Sequence, residues 1–210
     1  MKTTFSILIL IMSFAALAAD KYIDQMTANI QLVYNAQTAD ELKQAVNAFE
    51  RIGNAEKTKW EPFYYAAFGN IMIAAREKDG SKKDLILDQA ESFLAKATAI
   101  KPNDSEIITL EGFVHTLRLA VDPATRGQKY SMLSMQAFGK ALELNPDNPR
   151  ALSLMAQMQY GTAKFFGSSI DEACSTATKA LEKFETFKSD NVLAPQWGKK
   201  NAEDFKEVCK

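Results

Sequence analysis

The chain has 210 residues, of which 47% are hydrophobic and 24% charged, an ordinary globular composition that excludes collagen-like and disordered classes. A formal net charge of -1 at pH 7 supplies no electrostatic reason to bind nucleic acid or an anionic membrane surface. The few glycines and prolines fall between periodic stretches instead of at hairpin spacing, so strands are not expected.

Lys2, an apolar stretch from Phe5 to Phe14 and the small residues Ala16-Leu17-Ala18 read as a secretory signal covering residues 1–19, with cleavage before Asp20. The alternative, a transmembrane helix, is disfavoured because the run is shorter than the roughly 20 residues a bilayer needs. The remaining chain, 20–210, is expected to be soluble, periplasmic or secreted, with no membrane span after cleavage.

Tyr22, Met26, Ile30, Val33 and Ala36 recur at the spacing of one helical face. Thr38 then opens a second helix, and Glu41 three residues later completes a capping box; Leu42, Ala45, Phe49 and Ile52 form its apolar face. A third helix is expected over 58–77, with Pro62 in its first turn, where no backbone donor is missed. Asp79-Gly80-Ser81 breaks the pattern. Further helices are expected over 83–100, from about Ser105 to Asp122, and over 125–144, 149–164, 169–187 and 196–208, with serines such as Ser81, Ser105, Ser168 and Ser169 at their starts. Phe165 and Phe166, adjacent before Gly167, are expected to point one into the stack and one outward.

Three of these helices share a spacing of small and large residues. Ala90, Leu94 and Ala97 precede Pro102, and Ser134, Phe138 and Ala141 precede Pro146 at the same intervals; Ala173, Ala177 and Ala180 repeat the triplet, with Glu185 where proline stood. Small residues allow close helix approach, the larger one fills the gap between pairs, and proline stops the helix. This pattern resembles the second helix of the tetratricopeptide repeat, and Gly112 matches the small position of the family's first helix. The resemblance covers about residues 57–187. It implies an all-α fold of stacked antiparallel helix pairs in a short right-handed array. The expected division is an N-terminal pair (20–56), repeats at 57–104, 105–148 and 149–187, and a capping helix (188–210). Pro102 and Pro146 are 44 residues apart against a family period of about 34, so extra residues near 122–128, and others near 76–84, are expected to lengthen helices or loops at one edge.

Cys174 and Cys209 are the only cysteines. In a C-terminal helical hairpin turning through Ser189 to Pro195 they come level with each other, which favours a disulfide in an exported chain; the alternative is two unpaired thiols. His115 is the only histidine, so a histidine-based zinc site cannot be assembled, and no nucleophile elbow or phosphate loop is present. His115 is expected within the helix stack. Neither enzymatic activity nor a metal or cofactor is therefore expected. In the family resembled, first helices line a concave groove that takes an extended peptide or partner helix. Projection from Gly112 and Ala156 places Tyr65, Phe68, Thr109, Phe113, Thr116, Ser153, Gln157 and Tyr160 in that groove. The function so implied is an exported scaffold that binds a protein or peptide there. The second reading is a periplasmic small-ligand-binding accessory protein of a transport or envelope system, with a pocket framed by the lengthened segments.

Overall fold

A computed structural model describes residues 21–209; the signal segment expected at 1–19 lies outside the described residues. The described chain is helical, with no strand among these residues. The first helix, α1, covers residues 21–35 and buries Tyr22, Met26, Ile30 and Val33. It is followed by α2 (Ala39–Ala55), α3 (Glu61–Arg76), α4 (Gly80–Ile100), α5 (Ser105–Val121), α6 (Pro123–Leu144), α7 (Pro149–Phe166), α8 (Asp171–Thr186) and α9 (Lys199–Glu207). No helix among the described residues is long and apolar enough to cross a membrane.

The capping box at Thr38 and Glu41 is present in both directions. Several other boundaries differ from expectation for local reasons. Asp79 and Asp122, not the serines or threonines nearby, accept backbone N–H groups at the starts of α4 and α6, and each recruits residues read as loop into the first helical turn. The extra residues of the two middle repeats therefore lengthen α4 and α6. Ser105 is the first residue of α5 and Asp104 its cap. The last helix begins later than expected because Gly198 holds φ 101, a left-handed conformation that interrupts helix before Lys199. Phe165 and Phe166 both face outward, 82% and 74% exposed.

The three small-large-small triplets are buried throughout: Ala90, Leu94 and Ala97 on α4, Ser134, Phe138 and Ala141 on α6, and Ala173, Ala177 and Ala180 on α8. Gly112 shows what the first-helix small position is for. A Cβ there would lie 2.4 Å from Cε1 of Phe138, inside van der Waals contact. Replacing Gly112 by alanine is expected to push Phe138 out of its rotamer and to cost about 1–3 kcal/mol, readable as a lower urea midpoint at unchanged slope; an unchanged midpoint would mean the pair has slack.

From α2 onward each helix packs on its sequence neighbour, α3 also packs on α5 and α5 on α7, while the backbones of α4, α6 and α8 stay apart from one another. The first helices thus form a continuous inner layer and the second helices splay outside it. A buried polar junction ties α5 and α6 to the residue that caps α7. Ser105 Oγ donates to the Ala141 carbonyl at 2.8 Å, and Asn148 Nδ2 donates to Ser105 Oγ at 2.9 Å and to Thr109 Oγ1 at 3.3 Å. Every donor buried there finds an acceptor, the condition under which polar groups in a core specify register.

Candidate functional site

The eight positions projected for a groove fall into separate environments. Thr109 and Thr116 are one helical turn either side of Gly112 and share its face, so they point into the repeat: Thr109 Oγ1 donates to the Ser105 carbonyl at 2.7 Å, and Thr116 Oγ1 lies 3.3 Å from Ser134 Oγ on α6. Ser153 is buried, with Gln157 Nε2 3.5 Å from its hydroxyl. Tyr65, Phe68 and Phe113 lie on the inner layer, and Tyr160 meets Phe205 of α9 edge-on at 5.5 Å.

What covers the inner layer is the chain itself. Residues 187–198 cross it as a strap between α8 and α9. The indole of Trp197 is stacked between Phe68 at 5.0 Å and Phe113 at 6.2 Å, and its Nε1 donates to Tyr64 Oη at 2.9 Å. Tyr65 Oη donates to the Leu193 carbonyl at 2.7 Å, the backbone N–H of Gln196 donates to Tyr34 Oη at 3.0 Å, and Asn191 Nδ2 donates to Glu61 Oε1 at 3.1 Å. Desolvation under this cover drives the Tyr65 phenol far above its usual range. Arg150, 1% exposed, anchors the strap from α7: its guanidinium makes a bidentate pair with Glu106 at 2.7 and 2.8 Å and lies 4.4 Å from the Phe187 ring. The Cys174–Cys209 disulfide, with Cα atoms 5.6 Å apart, ties the end of α9 to α8. Sequence reasoning placed the disulfide at this end of the array but not the strap's path, and it missed Arg150 and Glu106. The available signal was a charged residue inside the run Pro149-Arg150-Ala151-Leu152, whose other members are apolar.

A second feature opens on the outer side, where the second helices diverge. Between α4 and α5 lies a cleft of about 580 Å³, lined by Glu91, Leu94, Ala95, Thr98 and Ala99 from α4 and by Glu111 and His115 from α5. His115 is thus at a cleft wall and not enclosed in the stack, with its ring 5.9 Å from that of Tyr130 on α6. Its Nδ1 and the Thr98 hydroxyl are buried without a hydrogen-bond partner of good geometry. Desolvation lowers the imidazole's pKa, so the ring is neutral at pH 7. Desolvation, with the nearby Glu91 charge, raises the Glu111 carboxyl above its usual range. One end of the cleft is closed by ion pairs. Arg118 holds Glu91 through two contacts at 2.9 and 3.2 Å and Asp88 at 2.6 Å, and Arg126 of α6 reaches back to Asp84 of α4 with two bonds of 2.8 Å. The basic residues Arg118 and Arg126 are therefore engaged with acids of the lengthened α4. Among the described residues no three His, Cys, Asp or Glu side chains converge as metal ligands.

No protein-family model matches the sequence, and no curated protein matches it. Among solved structures, the HusA haemophore from Porphyromonas gingivalis is 31% identical, the alignment covering 90% of this chain and 92% of that one at a TM-score of 0.81. The chain belongs to the HusA family. A tetratricopeptide-repeat protein of Thermus thermophilus, TTC0263, aligns over 94% of both chains at 16% identity and a TM-score of 0.57, which shows the shared fold. The architecture expected from the triplets is thus that of a divergent tetratricopeptide-like array, and the HusA family member described here adds to it a disulfide-tied strap and an outer cleft.

Proposed function

We propose that this protein is an exported carrier that binds a haem-type tetrapyrrole as cargo, without turnover. The observation that supports this reading most is the 31% identity to the HusA haemophore over 90% of this chain and 92% of that one, a likeness spanning the whole array. Three features of the chain agree with it. The Cys174–Cys209 bond belongs to an oxidising compartment, residues 1–19 have the composition of a secretory leader, and the 580 Å³ cleft falls in the roughly 300–1,000 Å³ of small-molecule sites.

This is the small-ligand reading of the sequence. It is preferred to a peptide in the inner groove because Leu193 and Trp197 occupy that face, and an incoming peptide would have to displace both. The test is titration of the purified protein with haemin, followed by Soret absorbance. Saturation at one haemin per chain is expected, with a dissociation constant on the order of 1 μM or tighter, equivalent to about -8 kcal/mol. Uptake that never saturates, or that an unrelated helical protein matches, would remove the proposal.

A further inference from the structure

Resting on that reading, we infer that the tetrapyrrole lies in the cleft between α4 and α5, with its flat apolar face on Ala95 and Ala99 and its carboxylates turned away from Glu111.

The shape argument begins with the alanines. Ala95 and Ala99 are one helical turn apart and exposed, while Leu94 beside them is buried. A helix face of this kind presents a shallow, nearly flat apolar surface, the complement of a planar macrocycle. The opposite wall is α5, whose His115 supplies a neutral ring already turned against the Tyr130 ring. The cleft therefore offers an apolar floor and a polar, aromatic wall, the combination by which small-molecule sites hold an apolar body and orient it. The inner face has larger aromatic surfaces, but Trp197 is stacked between two of them; the outer cleft can be reached without moving the strap.

The charge argument sets the orientation. The cleft lining contains two carboxylates and no lysine or arginine. Glu91 is neutralised by Arg118, whereas Glu111 makes no ion pair with a cation among the described residues. An acidic group poorly solvated and uncompensated repels a ligand carboxylate at short range. Carboxylates of a bound diacid are thus directed toward the α6 rim, where Lys129 sits 5.1 Å from the Tyr130 ring centre. Recognition then rests mainly on the macrocycle, and exposed Lys129 adds only a solvent-screened attraction for the acidic arms, so a neutral ester is still bound.

Three probes separate the outcomes: haemin, metal-free protoporphyrin and its dimethyl ester, each titrated into the purified protein at pH 7.5. Ala95→Trp and Ala99→Trp fill the cleft from exposed positions and are expected to weaken all three probes by about tenfold or more, while helical content by circular dichroism stays at the level of the parent. Glu111→Gln is expected to tighten the two diacids, haemin and metal-free protoporphyrin, by about threefold and leave the ester unchanged; Lys129→Glu is expected to weaken both diacids and leave the ester unchanged. Should the parent bind haemin and both tryptophan variants bind it equally well, the cleft is not the seat, although the carrier function stands. Indifference of haemin affinity to Glu111→Gln overturns the orientation. Failure of the parent to bind any probe removes the function itself, a result distinct from the other two.

Discussion

Replacing Arg150 by alanine is expected to lower the free energy of unfolding by about 3–5 kcal/mol, the largest loss of any single substitution considered. Arg150 is 1% exposed and its partner Glu106 keeps 15% of its side chain in contact with solvent. Removing the cation leaves a carboxylate that is too buried to hydrate fully, and Tyr64 Oη at 3.5 Å is a poor substitute. The guanidinium also lies against Phe187 at 4.4 Å and Trp197 at 6.0 Å, so the strap loses a contact from below. Lysine is not expected to rescue the variant, because it cannot make two parallel bonds to Glu106 or stack flat on Phe187. Urea denaturation should therefore place Arg150→Ala and Arg150→Lys close together and well below the parent. The double substitution Arg150→Ala with Glu106→Ala should recover part of the loss, since the orphaned charge is gone. A single-variant loss under about 1 kcal/mol would mean that Glu106 finds water when Arg150 leaves.

That pair illustrates what could be read from the sequence and what could not. The triplet Ser134, Phe138, Ala141 and its two relatives were legible because helix packing leaves a periodic trace: a small residue is needed wherever a neighbouring axis comes close. Gly112 was legible for the same reason, since Phe138 has to go somewhere. The Cys174–Cys209 bond was the favoured of two readings, from helical rise along an antiparallel hairpin in an exported chain, and it is present. The strap left no comparable trace. Residues 187–198 have no period, and their path over Tyr65 and Phe68 is set by single contacts from residues more than a hundred positions away. Thr109 and Thr116 show the opposite difficulty, for their spacing from Gly112 was read correctly but that spacing places them on Gly112's own face, toward α6. The cleft was hidden because it is made by divergence of α4 and α6, and divergence is the absence of a packing pattern.

Replacing Cys174 and Cys209 together by serine is expected to undo α9 while leaving the strap in place. The disulfide closes a loop with a sequence separation of 35, which in the chain-entropy description restricts the unfolded state by about 3–4 kcal/mol. The folded side of the balance is unequal along the segment. In α9 the buried side chain is that of Ala202, with an edge contact from Phe205 to Tyr160, and a nine-residue helix has little stability of its own. The strap, by contrast, carries Trp197 between two aromatic rings and Leu193 at 2% exposure. Without the bond, α9 therefore detaches locally, the folded state regains part of the chain entropy, and the loss in global stability falls short of the full loop-closure value. The expected signature is an unfolding temperature lower by less than about 10 °C, amide protons of α9 exchanging at nearly unprotected rates, and a Trp197 emission maximum, read in a Trp60→Phe background, unchanged from that of the disulfide-bonded protein. Retained protection across α9 would show that its docking is stronger than its buried surface indicates. Release of Trp197 together with α9 would show that strap and helix are one cooperative unit, and the inner aromatic face would then be exposed whenever the disulfide is reduced.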